Sequence, residues 1–221
     1  MEAKISAVIF DMDGVITNTM PDHFRVWKKV FTEKGIHVTH LDIYSREGQR
    51  GINSVREIFR ENNRSIGSTE AKRILRDKEE LFKRIVKRRF IVGARKFLHY
   101  LDKKGLTLAL VTGTSRHELH RILPDYIYNL FKVIITGNDV KHGKPHPEPY
   151  LKALRKLKMK PAQTVVIENA PFGIQSAKDA AIRCLALTTS LPRQYLNRAD
   201  YIFSSIKNLE NKVEFILAKT G

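Results

Sequence analysis

Cysteine is almost absent from this chain, and long apolar runs are missing altogether. The 221 residues include one cysteine, Cys184, so neither an internal disulfide nor a cysteine-based zinc site can form. No segment approaches the ~18 uninterrupted apolar residues that a membrane span requires. The first residues, MEAKISAVIFDMDG, lack the basic start, the apolar middle and the cleavage site of a secretory signal. We therefore expect a soluble, cytoplasmic protein in which Cys184 is a small buried hydrophobe.

Negative charge is also scarce, with 23 Asp and Glu residues against 40 Lys and Arg and a formal charge of +17. Such a surface attracts phosphorylated metabolites, nucleic acid or anionic lipid. The basic residues are spread along helical stretches such as KRILRDKEELFKRIVKRR, without interleaved surface aromatics or a helix-turn-helix or RNA-recognition signature. We interpret the charge as a solvated basic surface and expect no membrane partner. A non-catalytic nucleic-acid-binding protein stays open as a remote alternative.

Short apolar runs recur along the chain with helical segments between them. The runs are AVIF (7–10), LTLALV (106–111), KVIIT (132–136), TVVIE (164–168) and CLALT (184–188), and YIF at 201–203 is a candidate for one more. RKFLHYLDKKG, EPYLKALRKLK and APFGIQSAKDAA carry apolar residues at helical spacing. This rhythm predicts an α/β fold with a parallel sheet and crossover helices.

Residues 17–89 break this rhythm, because they are helical in pattern and show no buried-strand run. The candidate helices are PDHFRVWKKVFTEKG, INSVREIFRENN and STEAKRILRDKEELFKRIVKRR, the last with Ser68 or Thr69 as its N-cap. The length of the chain allows one α/β domain and a smaller module. We therefore predict a core of residues 1–16 and 90–221 and an inserted helical module of residues 17–89.

Two carboxylates follow the first apolar run, in Asp11-Met12-Asp13-Gly14-Val15. Ligands bind open α/β sheets at the carboxyl ends of the strands. Carboxylates spaced two apart there suit a hard, oxygen-loving cation, and Gly14 lets the backbone turn sharply. Taken alone, the motif is equally compatible with an ordinary surface turn.

Three further strand ends carry polar groups. Val111-Thr112-Gly113-Thr114-Ser115 offers hydroxyls and backbone N–H groups suited to phosphate. The loop Lys141-His142-Gly143-Lys144-Pro145-His146-Pro147 is stiffened by prolines and carries a lysine. Glu168-Asn169 adds a carboxylate and an amide oxygen, which are acceptable Mg²⁺ ligands.

The order and spacing of these four motifs resemble those of the haloacid dehalogenase superfamily. The resemblance is to the branch that contains β-phosphoglucomutase and its related sugar-phosphate phosphatases, and it covers essentially the whole chain. The segment TNTMPDHFRVW (17–27) is similar to that branch's entry into its helical cap. The resemblance implies a Rossmann-like parallel-sheet core with an inserted α-helical cap.

The resemblance also implies roles for individual residues. Asp11 would be the nucleophile and Asp13 the general acid and then the base. Mg²⁺ would be held by the Asp11 carboxylate, the Asp13 backbone carbonyl and the Glu168-Asn169 pair. The phosphoryl oxygens would be held by Thr112 and Lys144, assisted by the backbone of Gly113 and Thr114. This chain departs from the family at Asn169, where the usual residue is Asp, so we expect weaker Mg²⁺ binding.

The activity that this resemblance implies is a Mg²⁺-dependent phosphatase acting on a small phosphorylated metabolite. His23 and Lys78 match a histidine and a lysine of the mutase cap. The mutase has an arginine directly after Val-Ser in its specificity loop, whereas here Arg50 is displaced by one residue. The displacement favours a hydrolase and leaves β-phosphoglucomutase as the alternative.

Two smaller expectations complete the sequence analysis. We expect a monomer. The remaining histidines, His117 and His120 among them, show no convincing metal pattern and are interpreted as surface residues.

Overall fold

The computed structural model describes residues 2–218 and contains a parallel six-stranded sheet. Its strand order is β4-β3-β2-β5-β6-β7. The strands of the described chain are β1 (Glu2–Ile5), β2 (Ala7–Phe10), β3 (Thr107–Val111), β4 (Phe131–Ile135), β5 (Thr164–Glu168), β6 (Arg183–Leu187), β7 (Tyr201–Phe203) and β8 (Glu214–Leu217).

The described residues contain ten α-helices. They are α1 (Met20–Thr32), α2 (His40–Tyr44), α3 (Gly51–Glu61), α4 (Ser68–Ile85), α5 (Ala94–Lys103), α6 (Arg116–Ile122), α7 (Asp125–Tyr128), α8 (Glu148–Leu157), α9 (Pro171–Asp179) and α10 (Ile206–Lys212).

The predicted parallel sheet is confirmed, with strand ends within one residue of the apolar runs. Strands β2 and β5 are buried along their whole length, as strands in the middle of a sheet covered by helices must be. Cys184 lies buried in β6, as expected of a small hydrophobe. The sequence missed the separate parallel pair β1 and β8, because two four-residue strands at distant points of the chain leave no recognisable pattern.

The predicted N-cap of α4 is wrong. The cap residue is Gly67, in an extended conformation with φ −71° and ψ 155°, and Ser68 is already helical. The sequence also missed α2, although Thr39 and Asp42 form a capping box at its start. A helix of only five residues is too short for a periodic apolar pattern.

Helices α1 to α4 form an insert between β2 and α5. The two segments that connect the insert to the rest of the chain are hydrogen-bonded to each other. The Asn18 N–H donates to the Arg89 carbonyl (2.8 Å), and the Ile91 N–H donates to the Ile16 carbonyl (2.9 Å). The division of the chain at residues 17 and 89 stays a prediction. Within residues 2–218, no helix has the length and apolar character needed to cross a bilayer.

Candidate functional site

Asp11 and Asp13 lie in the loop that leaves β2, and both are fully buried. The Asp11 N–H donates to the Ile167 carbonyl (3.0 Å), which keeps this loop beside the end of β5. Gly14 follows with a φ of +92°, and a Cβ there would overlap the Asn169 side chain. The turn therefore requires glycine both for its conformation and for space.

Lys144 reaches into this loop from the segment between β4 and α8. Its Nζ donates to Asp11 Oδ1 (2.6 Å), to Glu168 Oε1 (2.7 Å) and to the Val111 carbonyl (3.2 Å). Burial opposes the charge, but the two carboxylates outweigh it and raise the pKa of Lys144. One ammonium group thus joins the ends of β2, β3 and β5.

Several buried carboxylates lie near the single ammonium group of Lys144. Burial, assisted by the charges of Glu168 and Asp13, raises the pKa of Asp11 to about 8, even though Lys144 acts in the opposite direction. Within residues 2–218, Asp11 Oδ2 is one of the few buried side-chain atoms without a hydrogen-bond partner. The site therefore has more negative charge than its lysine compensates.

Asp13 is in a different environment from Asp11. Its Oδ1 accepts hydrogen bonds from Thr19 and His23 (3.3 Å), and its Oδ2 accepts one from Thr114 Oγ1 (2.9 Å). Burial favours the neutral form, but His23, Thr19 and Thr114 together lower the pKa of Asp13. Thr112 lies at the edge of this group, with its hydroxyl 3.5 Å from Asp13 Oδ2 and bonded to the Thr114 N–H (3.1 Å).

Both oxygens of Glu168 are fully occupied. Oε1 accepts from Lys144 and from the Tyr150 hydroxyl (2.9 Å), and Oε2 accepts from the N–H groups of Asn169 (2.8 Å) and Ala170 (3.2 Å). Four hydrogen bonds use the four lone-pair sites of a carboxylate. In this arrangement Glu168 orients Lys144, and the metal ligation that the family resemblance implies for Glu168 stays a prediction.

Asn169 is oriented by a residue that sequence reasoning missed. Its Nδ2 donates to Ser190 Oγ (2.7 Å), and Thr189, the residue before Ser190, bonds the Gly14 carbonyl (2.5 Å). Asn169 Oδ1 is buried and, like Asp11 Oδ2, lacks a hydrogen-bond partner among the described residues. The two unpartnered oxygens are of the type that a hard cation prefers.

A loop of the insert lies directly over this cluster. A Cβ at Gly48 would overlap Cδ of Lys144, and one at Gly113 would lie 2.8 Å from the Gly48 carbonyl. A Cβ at Gly137 would in turn lie 2.5 Å from the Gly113 carbonyl. The Arg50 guanidinium donates to the Lys141 carbonyl (2.7 Å). The insert therefore meets the core through a backbone contact between Gly48 and Gly113 and through the contact of Gly48 with the Lys144 side chain, and neither contact leaves room for a Cβ.

A cavity of about 310 Å³ lies between the insert and the sheet. Its polar lining includes His23, Glu47, Gln49, Arg50, Lys78 and Glu118. Lys78 is buried over the rings of Trp27 (5.5 Å) and Phe82 (4.7 Å). Burial raises the pKa of Glu47 well above its ordinary value, and the charges of Asp13 and Asp11 add to the shift.

The structure brings most of the predicted site residues together. Asp11, Asp13, Thr112, Thr114, Lys144, Glu168 and Asn169 form one buried cluster, and His23 joins it through Asp13. Gly113, Lys78 and Arg50 line the adjoining cavity. The sequence did not reveal Thr19, Glu47, Tyr150 or Ser190, because none of them belongs to a local motif.

Comparison with known proteins gives consistent results. The sequence profile of the haloacid dehalogenase-like hydrolases matches residues 8–187. A phosphorylated carbohydrates phosphatase of Thermotoga maritima is 32% identical over 185 residues, which is 80% of this chain and 82% of that protein. Hexitol phosphatase A of Escherichia coli is 25% identical, covering 93% of this chain and 94% of that protein. The structure of a candidate β-phosphoglucomutase from Bacteroides vulgatus has a TM-score of 0.85 at 34% identity, covering 95% and 88% of the two chains.

The contact of Gly48 with Lys144 generates a stability prediction. We expect Gly48→Ala to lower the free energy of unfolding by roughly 1–3 kcal/mol, because Gly48 has a φ of +79° and its Cβ would overlap Lys144. Gly35→Ala is the matched control, since Gly35 also has a positive φ (+67°) but a Cβ there would meet no atom closer than 3.6 Å. Urea unfolding of both variants measures the difference. Equal stabilities would show that the loop is not seated on Lys144.

Proposed function

Because the chain belongs to the haloacid dehalogenase-like hydrolases, we propose that it is a Mg²⁺-dependent phosphatase acting on small phosphorylated metabolites, sugar phosphates or similar phosphomonoesters, through an aspartyl phosphate on Asp11. The observation that carries the proposal is the buried cluster in which Lys144 joins Asp11 to Glu168, with Asp11 Oδ2 and Asn169 Oδ1 unpartnered beside it. The names of the Thermotoga and Escherichia relatives support phosphorylated carbohydrates as the substrate class.

The donor set fits Mg²⁺. Asp11 Oδ2, Asn169 Oδ1 and the Asp13 backbone carbonyl would hold the ion, since two of these oxygens are buried and unpartnered and all three are hard ligands. When bound, Mg²⁺ supplies the positive charge that offsets the repulsion between a carboxylate and a phosphate dianion. Burial is the main cause of the raised pKa of Asp11, and the negative charges of Glu168 and Asp13 add to it.

Asp11 is the nucleophile in this proposal. Its carboxylate attacks the phosphorus, the bond to the leaving oxygen breaks, and the phosphoryl group is left on Asp11 until water removes it. The Lys144 ammonium, already 2.6 Å from Asp11 Oδ1, stabilises the negative charge on the transferring group. Thr112, with the backbone of Gly113 and Thr114, would hold the other phosphoryl oxygens.

Asp13 moves the protons. Its lowered pKa suits the second step, in which it takes a proton from the attacking water. In the first step it must instead protonate the leaving oxygen. The negative charge of the bound phosphate raises the pKa of a neighbouring carboxylate and thereby favours this protonation. The bonds from Thr19, His23 and Thr114 fix the direction in which Asp13 points.

We further propose that residues 17–89 form a cap that selects the substrate. The cavity under the insert receives Arg50 and Lys78 from the insert and Gly113 and Thr114 from the core. Glu47, Gln49 and Glu118 offer hydrogen-bond acceptors. Such a mixture of cationic and acceptor groups suits a hydroxylated, anionic molecule such as a sugar phosphate.

β-Phosphoglucomutase is the second candidate. The cavity lining includes the cationic side chains of Arg46, Arg50, Lys72 and Lys78, and a substrate with a second phosphate would require such cations. One N–H of the Arg50 guanidinium, however, donates to the Lys141 carbonyl at 2.7 Å, which directs the side chain to this carbonyl and leaves fewer donors for a phosphate. This favours the hydrolase.

Phosphate release is the decisive measurement. We expect the wild type to hydrolyse members of a panel of sugar phosphates, phosphoglycolate and an aryl phosphate only with Mg²⁺. Asp11→Asn should abolish release, because an amide is a poor nucleophile. The same panel includes β-glucose 1-phosphate with detection of glucose 6-phosphate. Isomerisation without phosphate release would instead establish the mutase. If the protein catalyses neither reaction, both proposals are contradicted.

Asn169 generates a prediction on metal affinity. Asn169→Asp should tighten Mg²⁺ binding by at least about tenfold, since it adds a charge beside a buried cation site. Ser190→Ala should weaken binding by roughly tenfold, because it frees the Asn169 amide to turn. Mg²⁺ titration followed by calorimetry measures both. Asn197→Asp, which adds the same charge at an exposed position, is the control and should leave the affinity unchanged.

The raised pKa of Asp11 generates a prediction on pH. The folded, metal-free protein holds the Asp11 proton more tightly than the unfolded chain, so this contribution to stability is complete below the ordinary pKa of 3.8 and is lost as the pH rises toward about 8. Mg²⁺ requires the ionised carboxylate and should therefore raise the melting temperature more near pH 8 than near about pH 5. Thermal unfolding with and without Mg²⁺ tests this. The difference should disappear in Asp11→Asn, and an equal rise at both pH values in the wild type would contradict the prediction.

A further inference from the structure

Two histidines and a glutamate that the phosphatase proposal does not use lie together beside Lys144. His142 and His146 are exposed or partly exposed residues of the loop, and Glu148 is the first residue of α8. His142 Nδ1 is 3.1 Å from Glu148 Oε2, and the two imidazole rings have centroids 4.7 Å apart. Each residue has a potential ligand atom, and the three atoms lie within 4.8 Å of one another.

The glutamate is held in place by the backbone. Its Oε1 accepts the Lys141 N–H and its Oε2 accepts the His142 N–H, both at 2.8 Å. These bonds fix the carboxylate and leave further lone pairs on its oxygens. The loop is also restrained at His146, whose carbonyl accepts the Ser176 hydroxyl (2.7 Å). A site whose ligands are already restrained loses little freedom when it binds an ion.

The ligand chemistry differs from that of the phosphatase site. Two imidazole nitrogens and one carboxylate are typical of Zn²⁺ and its neighbours in the transition series, whereas Mg²⁺ prefers oxygen alone. The separation of 3.1 Å between His142 Nδ1 and Glu148 Oε2 is compatible with two ligands of one tetrahedral ion, whose bonds are about 2.0–2.2 Å long.

We propose that His142, His146 and Glu148 form a binding site for Zn²⁺ or a similar transition-metal ion, separate from the Mg²⁺ site. Water completes the coordination, because the site faces solvent. His146 Nδ1 accepts the Glu148 N–H (3.1 Å), and His142 Nδ1 donates to Glu148 Oε2 (3.1 Å). Both hydrogen bonds give way when the ion binds, and His142 Nδ1 releases its proton to solvent. Both histidines are exposed, as the sequence predicts, and the proposal adds a metal-binding role to this pair.

The position of the site gives the ion a structural consequence. His142 and His146 lie two residues before and two residues after Lys144, so an ion bound to both ties the two flanks of the catalytic lysine to the start of α8. We therefore expect Zn²⁺ to raise the melting temperature through these residues, without any requirement for turnover.

The test is a Zn²⁺ titration by calorimetry on the untagged protein in saturating Mg²⁺, repeated with Co²⁺ to record the visible spectrum. We expect one Zn²⁺ per chain and a Co²⁺ spectrum with nitrogen ligands, which the all-oxygen Mg²⁺ site does not produce. His142→Ala and His146→Ala should each weaken binding by more than the roughly 10–100-fold that is typical for loss of a supporting residue. His117→Ala combined with His120→Ala removes two exposed histidines of α6 and is the control.

The outcomes separate clearly. Loss of Zn²⁺ binding and of the Co²⁺ spectrum in both loop variants, with the α6 control unchanged, would support the site. Wild-type affinity in His142→Ala and His146→Ala, loss of binding in the control, or no Zn²⁺ binding by the wild type would overturn it. Because these measurements do not depend on phosphate release, failure of the phosphatase proposal would leave their result intact.

Discussion

The buried ammonium of Lys144 is the contact on which the rest of the site depends. It bonds Asp11, Glu168 and the Val111 carbonyl, and so fixes the ends of three parallel strands relative to one another. A buried charge is tolerated only with partners of this kind, and removal of one partner from a buried ion pair costs about 3–5 kcal/mol. Lys144, Asp11 and Glu168 therefore specify a single arrangement of the ends of β2, β3 and β5.

The same contact leaves an excess of negative charge. Asp11, Asp13 and Glu168 are all buried near one lysine, and the pKa of Asp11 rises to about 8 in consequence. A bound cation would relieve this excess of negative charge. Asn169 also reduces it, because its amide is neutral where the family usually has a carboxylate. The hydrogen bond to Ser190 leaves the amide oxygen of Asn169 unpartnered, so it still suits a metal. On the proposed function, we expect Asn169 to weaken the attraction for Mg²⁺ and to reduce the charge repulsion in the metal-free state.

Close backbone contact explains how the insert meets the core. The backbones of Gly48 and Gly113, and of Gly113 and Gly137, lie so close together that no side chain fits between them. Gly48 also contacts the side chain of Lys144. This seating puts Glu47 and Arg50 beside the cavity, where neither the core nor the insert alone would form a binding site. On the proposed function, substrate choice is consequently a property of the pairing of the insert with the core.

The sequence by itself determined the α/β class, the order of the strands along the chain and the residues at their carboxyl ends. Buried parallel strands require continuous apolar runs, and such runs are visible in AVIF and TVVIE because the signal is local. The identity of Asp11 and Lys144 as site residues followed from the same local order, although their roles stay proposals. Only the tertiary structure decided the contacts of Ser190 with Asn169 and of Tyr150 with Glu168, and the placement of Glu47. These contacts join residues that lie far apart in sequence or in different units, and their formation depends on how packed surfaces meet, which no local pattern of residues records.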